Sequence, residues 1–566
     1  MAHQLLNQFS DLLQDAAGTE ATALPPQAFR WETPKDPSLG DLSCSVAFKL
    51  ASVKRQPPPA VAEQLADTLR VSCQRAQLDG RLERIEAKSG FVNLFLSQDE
   101  LTQVVRDILR LGSRYGTSRI GAGQRVLLEF VSANPTGPLS VAHGRQAAVG
   151  DVLTRLMRSQ GYRARAEYYL NDEGRQIELL GRSLRARYAE LVGVQEPFPE
   201  DGYYGAYVTT SAGRIRKQHG EGVLEKPLEW FMETGMKEQL AEIQRDLKRF
   251  GLAFDHWTSQ RWLRTSGKID AALRRLKAKG VLYDAENATW FASTKFGDDK
   301  DRVVRKRDGE MTYLAPDIAY HQWKFQQGYE QLINLWGPDH HGYIARLKAS
   351  VQALGLSADQ LVIRIIQLVT LSRKGKPVPM SKRQGEFVTF REIMDEVGVD
   401  ATRFFYLMRT MDSHLDFDLE LATSKAQENP VYYVQYAHAR ICSILTHATR
   451  QLPWWNRLGR VEFSVLTEPE ERLLMRQLFQ FPLLLASCVR ALEPHGLTVY
   501  LQKLAEVFHV FYTKHRVLSE DHRRSQARLR LVRATRIVLA NGLFLLGVSA
   551  PHRMEKSEGL RGLQRA

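Results

Sequence analysis

A strand, a loop and a helix follow one another between Arg125 and Met157, and this stretch limits the possible folds more than any other part of the chain. Residues 125–130 form a near-continuous apolar run of strand length, typical of a parallel strand covered on both faces. Beyond a turn-rich loop, apolar residues recur at helical spacing, namely Val149, Val152, Leu153, Leu156 and Met157. Because this helix is predicted to begin near Ser140, its free N–H groups and positive dipole end face the loop, where an anion such as a phosphate is favoured.

A second strand is predicted at residues 164–170, after Gly161 stops the helix, so the segment forms a βαβ unit of an α/β fold. Such units are right-handed crossovers, and ligands bind at the carboxyl ends of their strands. We therefore expect a ligand-binding edge that carries Glu129, Asn134, His143, Tyr169 and Asn171. The sequence lacks a dinucleotide fingerprint, since residues 121–123 precede their strand and have no third glycine, and it has no GxxxxGK[ST] loop.

Length and charge indicate a multidomain protein with an anionic partner. A chain of 566 residues is too long for one core, and two to four domains are expected. Lys and Arg number 78 against 64 Asp and Glu, a formal charge of +14, which fits a nucleic acid partner but also occurs without one. The four cysteines are scattered without a CxxC pair, which favours a reduced compartment and no zinc site. With no signal peptide visible and no apolar run long enough to span a bilayer, we expect a cytoplasmic protein.

Three units are predicted along the chain. Residues 1–116 suggest a small α+β domain, with a helical face of Val61, Leu65 and Leu69 and an alternating strand at 90–96. Residues 117–423 contain the nucleotide-binding α/β fold, with an insertion at about 197–262 where the alternation of strand and helix is interrupted.

Residues 424–566 are helical throughout. Asn429-Pro430 is predicted to open a helix. The last long helix is predicted to turn Leu531, Ala534 and Val538 inward, with Arg533 and Arg536 on its other side.

Several separated motifs resemble one family. Residues 129–145 are similar to the first signature of class I aminoacyl-tRNA synthetases, and specifically of bacterial arginyl-tRNA synthetases. The motifs Tyr313-x-x-x-Asp317, Met380-Ser381-Lys382 and 429–440 match three further elements of that family. Two departures stand out: the usual His-x-Gly-His reads Ser140-Val141-Ala142-His143, and Pro379 replaces the first lysine of Lys-Met-Ser-Lys.

The resemblance implies a fold and a reaction. The fold is a Rossmann-like parallel-sheet catalytic domain with an N-terminal domain that contacts tRNA and a C-terminal anticodon-binding helical bundle. The reaction is ATP-dependent activation of arginine, followed by transfer to the 3′ end of tRNA(Arg). ATP is expected as substrate with Mg²⁺, the partners are tRNA(Arg) and arginine, and a monomer is expected. The altered signatures leave open a synthetase-like protein that binds tRNA or arginine without forming adenylate.

The same resemblance implies roles for individual residues. The catalytic candidates are His143, Lys382 and Ser140. The ATP-binding candidates are Pro135, Thr136, Gly137, Pro138, Leu139, Val141, Ala142, Gly144, Met380 and Ser381. The arginine-binding candidates are Glu129, Ser132, Asn134, Tyr313, Asp317 and Asp339. A guanidinium pairs bidentately with carboxylates, which suits Asp317, although Asp317 could instead cap a helix.

The RNA-binding candidates are Tyr432, Tyr436, Arg440, Arg533 and Arg536. Splayed bases stack on aromatic rings, but aromatic residues at helical spacing are more often part of a core. The N-terminal domain is likewise open to two interpretations, a contact for the tRNA elbow or a structural appendage. No metal site is predicted, since Asp339-His340-His341 lie on one loop without a further His or Cys cluster.

Overall fold

The computed structural model describes residues 2–34, 36–378, 388–452, 455 and 461–554. The first unit is α+β, as predicted, with an antiparallel sheet of order β1-β3-β2. The predicted helical face of Val61, Leu65 and Leu69 is buried, and the alternating strand at 91–96 forms the centre of the sheet. The elements of this unit are α1 (Ala2–Ala16), β1 (Leu42–Cys44), α2 (Val46–Lys54), α3 (Pro58–Arg75), β2 (Leu82–Lys88), β3 (Phe91–Leu96) and α4 (Gln98–Leu111).

The central unit is built on a five-stranded parallel sheet of order β11-β10-β4-β5-β6. Its first half contains β4 (Arg125–Glu129), α5 (Val141–Ser159), β5 (Arg163–Leu170), α6 (Arg175–Leu191), α7 (Ala206–His219), α8 (Leu228–Arg249), β6 (His256–Ser259), α9 (Gln260–Thr265), α10 (Lys268–Ala278), β7 (Leu282–Ala285), β8 (Ala288–Phe291) and β9 (Arg302–Arg305). Its second half contains α11 (Leu314–Gln326), β10 (Gln331–Trp336), α12 (Ile344–Ala353), β11 (Leu361–Ile365), β12 (Val369–Arg373), β13 (Lys376–Pro377), α13 (Phe390–Val397), α14 (Val399–Tyr406), β14 (Leu415–Asp418) and α15 (Leu419–Thr423).

The predicted βαβ unit is confirmed. β4 and β5 pair in parallel, and α5 begins directly after Ser140. The five apolar residues predicted to face the core from α5 are all buried, since they pack against the sheet. The strand edge predicted to bind a ligand therefore exists, with the first turn of α5 beside it.

The predicted insertion at about 197–262 extends too far at its C-terminal end. Three helices, α6 to α8, separate β5 from β6, and α7 and α8 lie within the predicted range. β6 hydrogen-bonds to β5, which places residues 256–259 in the main sheet. Periodicity in the sequence did not reveal this because β6 is only four residues long and follows a charged helix.

The last unit is helical, with α16 (Pro430–Gln451), α17 (Pro469–Ala491), α18 (His495–Lys514) and α19 (His522–Leu546). As predicted, the chain enters α16 at Asn429-Pro430, and the Asn429 side chain accepts from the N–H groups of Val431 and Tyr432. The first unit packs on this bundle: Tyr115 donates to the Leu478 carbonyl at 2.9 Å. None of the helices in the described part of the chain combines the length and apolar character needed to cross a bilayer.

A fully buried arginine joins the central unit to the last helix. Arg403 of α14 pairs with Asp151 of α5 and donates at 2.8 Å to the carbonyls of Phe250 and Leu546, at the ends of α8 and α19. Gly547 ends α19 at φ 68°, and a Cβ there would lie 2.5 Å from the Arg403 guanidinium. The glycine is therefore required both by the left-handed backbone and by the closeness of the arginine.

We predict that Arg403→Met lowers the free energy of unfolding by about 3–5 kcal/mol, since it leaves buried acceptors without their cation. Urea unfolding followed by circular dichroism measures the change. Arg307→Met is the control, because Arg307 forms an exposed ion pair with Glu286, and it should leave the midpoint unchanged. An equal midpoint for the two variants would contradict a joining role for Arg403.

Candidate active site

The carboxyl ends of β4, β5 and β10 open into a cavity of about 940 Å³. Parallel strands place their following loops at one edge of a sheet, so residues far apart in sequence meet there. The cavity is lined by nine of the predicted site residues, namely Glu129, Ser132, Asn134, Ser140, Ala142, His143, Tyr313, Asp317 and Asp339.

His143 lies in the first turn of α5 and has a defined hydrogen-bonding role. The backbone N–H of Ser140 donates to His143 Nδ1 at 3.1 Å, so Nδ1 is an acceptor and the ring proton is on Nε2. The Ser140 hydroxyl also lies 3.1 Å from Nδ1. A neutral imidazole with a donor Nε2–H at a helix N-terminus can stabilise negative charge in the cavity.

Asp317 also lines the cavity, in the first turn of α11. Tyr343 donates to its Oδ2 at 2.6 Å, and α11 begins with Tyr313 as its N-cap, so Asp317 does not cap the helix. Among the described residues, no cation forms an ion pair with this carboxylate. Burial raises the pKa of Asp317 to about 7, and the Tyr343 hydrogen bond only partly opposes this. A desolvated carboxylate without a cation is suited to a positively charged ligand.

Glu129 ends β4 and already has a cation. Its Oε2 forms an ion pair with Nζ of Lys324, which is fully buried, and its Oε1 accepts from the Ser132 hydroxyl at 3.2 Å. Burial opposes ionisation of Glu129, but the neighbouring groups, chiefly Lys324, together outweigh it and hold the pKa of Glu129 below its ordinary value. The carboxylate is therefore negative and fixed in orientation where it borders the cavity.

Comparisons with known proteins identify the family. Family models match at residues 3–96 (arginyl tRNA synthetase N terminal domain), 232–413 (tRNA synthetases class I (R), catalytic domain) and 434–554 (DALR anticodon binding domain). An arginine–tRNA ligase of Halalkalibacterium halodurans is 45% identical over 534 residues, 92% of this chain and 94% of the relative. The arginine–tRNA ligase of Geobacillus thermodenitrificans is 44% identical over 563 residues, 98% of this chain and 99% of the relative. The chain belongs to the arginyl-tRNA synthetase family. Its fold is similar to that of the Thermus thermophilus arginyl-tRNA synthetase, with a TM-score of 0.76 at 22% identity, covering 97% of this chain and all of the other.

The first signature of this arginyl-tRNA synthetase divides into two parts. Ser140, Ala142 and His143 line the cavity, whereas the other described ATP-binding candidates lie outside its lining, namely Pro135, Thr136, Gly137, Pro138, Leu139, Val141 and Gly144. Leu139 and Val141 are core residues, because the loop returns into the packing before α5 starts. The Thr136 carbonyl accepts from Tyr207 of α7 at 2.7 Å, which ties the loop to the inserted helices. The candidates Met380, Ser381 and Lys382 lie outside the described residues.

The remaining arginine-binding candidates differ in exposure. Tyr313 is 73% exposed at the mouth of the cavity. Asn134 donates to Oε1 of Gln176 at 2.5 Å, and Asp339 is an exposed neighbour of His340. Asn134 thus has an intramolecular partner that a ligand would need to replace or share.

The RNA-binding candidates lie on α16 and α19 of the helical bundle. Tyr432 is buried and stacks on Tyr436, with ring centroids 6.4 Å apart, so for Tyr432 the core interpretation fits better. Tyr436 is partly exposed, and Arg440 donates to the hydroxyl of Tyr512 at 3.0 Å. Arg533 and Arg536 of α19 are partly buried rather than fully exposed, while their apolar neighbours face inward as predicted.

The sequence patterns did not single out several residues of the site. Glu167 of β5 lies opposite Glu129 of β4 in the strand register, and Lys324 lies within 3.8 Å of it. Two buried carboxylates on adjacent strands require a nearby cation. The glutamates in the two predicted strands could therefore have indicated a buried lysine or arginine. Arg145 was also missed: it is fully buried and donates at 2.9 Å to the carbonyl of Gln367, which lines the cavity.

Stability should depend on pH through Asp317. The folded protein binds the Asp317 proton more tightly than the unfolded chain, so the wild type loses stability as pH rises from about 4 to about 7. Asp317→Asn removes this loss. We expect its stability relative to the wild type to increase by on the order of 2 kcal/mol between about pH 5 and about pH 8.

Urea unfolding at the two pH values tests this, with Asp339→Asn as the exposed control that should show no such gain. A constant difference between Asp317→Asn and the wild type would show that Asp317 is not desolvated in the folded protein.

Proposed function

We propose that this chain is an arginine–tRNA ligase that activates arginine with ATP and transfers the arginyl group to the 3′ end of tRNA(Arg). The observation that carries the proposal is a single cavity lined both by Asp317, a carboxylate with no ion-pair partner among the described residues, and by His143, a neutral histidine donor. The curated relatives that cover over nine tenths of the chain are arginine–tRNA ligases.

We propose that arginine lies between the two carboxylates of the cavity. Asp317 accepts from the guanidinium, with Tyr313 over its open side, and a guanidinium pairs with a carboxylate through two parallel hydrogen bonds. Glu129, Ser132 and Asn134 take the ammonium and carboxylate end, and Asp339 contributes a weaker contact. A shorter or uncharged amino acid would leave Asp317 unpaired, so the site rejects it without a second editing step.

We propose that the protein contributes mainly alignment and charge stabilisation to adenylate formation. The carboxylate of arginine attacks the α-phosphate of ATP and pyrophosphate leaves. No side chain needs to form a covalent bond with the substrates in this step. His143 Nε2 donates to a phosphate or ribose oxygen, Ser140 holds the ring, and Ala142 borders the adenine. The other first-signature candidates, 135–139, Val141 and Gly144, shape the loop. Met380, Ser381 and Lys382 are proposed to bind ATP, with Lys382 supplying a positive charge for the pyrophosphate.

Mg²⁺ is proposed to enter with ATP rather than at a protein site. Among the described residues there is no group of three or more His, Cys, Asp or Glu side chains placed to hold a metal. The triphosphate itself supplies the oxygen ligands that Mg²⁺ prefers.

Domain roles follow the predicted division at 1–116, 117–423 and 424–566. We propose that the first unit contacts the tRNA elbow and the last the anticodon, with Tyr436, Arg440, Arg533 and Arg536 at the contact and Tyr432 behind them. A monomer is proposed on the resemblance to arginyl-tRNA synthetases alone. A reducing, cytoplasmic setting is proposed, because all four cysteines are buried and unpaired thiols.

Arginine-dependent exchange of pyrophosphate into ATP, with tRNA(Arg) present, tests the proposal. The wild type should exchange, and Asp317→Asn should lower kcat/KM for arginine by roughly 100-fold or more, because a buried charge pair loses one partner. Asp339→Asn should cost far less. Exchange at background from folded wild-type protein that binds tRNA would instead support the alternative, a paralogue that binds without forming adenylate.

The altered first signature leads to a separate prediction. Ser140→His with Ala142→Gly should lower the KM for ATP several-fold, since it adds a donor for phosphate and removes a methyl from the cavity wall. Ala142→Gly alone separates the two effects, and initial rates at varied ATP measure them. An unchanged or higher KM for ATP would mean that the cavity has adapted around Ser140 and Ala142.

A further inference from the structure

Lys324 is a buried lysine held between two carboxylates. Its Nζ pairs with Glu129 and lies 3.8 Å from Glu167 Oε2, and the Tyr320 ring centroid is 3.9 Å away. The side chain is fully buried and lies behind the cavity wall rather than in it. Burying an ammonium costs free energy unless the ammonium is paired. The position of Lys324 therefore indicates that neighbouring groups need a positive charge there.

The need for a positive charge comes from the register of two neighbouring strands. Glu129 and Glu167 are direct neighbours across β4 and β5, and both are buried. Without a cation, two desolvated carboxylates this close cannot both ionise. Among the described residues, Lys324 is the cation that pairs with either of them.

We propose that Lys324 is a positioning residue for the α-ammonium of arginine, which it serves by keeping Glu129 ionised and correctly turned. The inference rests on the proposed function. Lys324 occupies Oε2 of Glu129 and Ser132 donates to Oε1, so the carboxylate plane is fixed while its edge borders the cavity.

The charges of the cavity match those of the substrate. The titratable groups that face this cluster are Glu129, Glu167, Asp317, Tyr169, Tyr320, His321 and Tyr343, with Lys324 at the centre. Burial lowers the pKa of His321 to about 4, so it is neutral. Burial raises the pKa of Glu167 and of Asp317, so a nearby cation favours the ionised form of both carboxylates. With both ionised, three carboxylates and the Lys324 ammonium give a formal charge of −2, which is opposite in sign to the guanidinium and α-ammonium of arginine.

Lys324→Met should therefore weaken arginine binding, because Glu129 and Glu167 would take up a proton. Glu129 and Glu167 would share a proton near neutral pH, which the arginine ammonium would have to displace. We expect the KM for arginine at neutral pH to rise about tenfold or more, and the acid limb of kcat/KM for arginine to move up by about one pH unit. The KM for ATP should not change. Lys306→Met, at an exposed ion pair with Glu310, is the matched control.

A second substitution separates charge from structure. Lys324→Met with Glu167→Gln restores the formal charge of −2 and removes the carboxylate pair, so it should return the KM for arginine to within a few-fold of the wild type. This double variant also keeps the test open should Lys324→Met alone fail to fold. Glu167→Gln alone keeps the ion pair with Glu129 and should not move the acid limb upward.

Substrate analogues locate the effect within arginine. An analogue without the α-amino group, 5-guanidinopentanoate, does not use the Glu129 contact, so its inhibition constant should be nearly the same in Lys324→Met and the wild type. Agmatine, which keeps an amine, should lose affinity in parallel with arginine.

Three results would overturn the inference: an unchanged KM and pH profile in Lys324→Met, equal weakening of both analogues, or no rescue in the double variant. Each of these is measured against an active wild type. An inactive wild type would instead count against the proposed function itself, so the two failures are distinguishable.

Discussion

Buried cations at the joins between structural units hold this molecule together. Arg403 lies where α5, α14, the end of α8 and the end of α19 meet, and its guanidinium satisfies a carboxylate and two helix-terminal carbonyls. Arg145, also fully buried, donates to the carbonyls of Gln367, Thr410 and Ser413. Since a buried guanidinium is tolerated only when its donors are used, each fixes the position of several backbone segments at once.

The same principle operates at the active site with a different outcome. Glu129 already has its cation in Lys324, whereas Asp317 has none among the described residues and only a tyrosine hydroxyl as partner. Lys324 therefore keeps one carboxylate ionised and fixed, whereas burial gives the other a raised pKa and a need for positive charge. This asymmetry makes the Asp317 end of the cavity suited to a guanidinium, since a cationic ligand would supply the ion-pair partner of Asp317.

The altered first signature keeps a backbone contact that orients its histidine. The Ser140 backbone N–H holds Nδ1 of His143, a contact that any residue except proline can make at position 140. What Ser140 cannot supply is a second imidazole donor, and Ala142 adds a methyl to the cavity wall. The backbone contact is thus independent of the side chain at position 140.

Local patterns in the sequence were sufficient for much of the architecture. The apolar run at β4, the spacing in α5 and the Asn429-Pro430 helix start all depend on neighbouring residues, and each was predicted correctly. Positions that depend on pairing across the sheet were less accessible. The short strand β6 was placed inside an insertion, because only its hydrogen bonds to β5 show that it belongs to the main sheet.

The site divides in the same way. The sequence by itself determined which chemical groups were present, since the signature residues and the Tyr313 to Asp317 spacing identified a histidine donor and a carboxylate for a cation. Only the tertiary structure decided which carboxylate has a cation of its own, because Lys324 reaches Glu129 from a helix 195 residues away. Ion pairing and desolvation depend on distance in space, and a linear chain does not contain that distance until it folds.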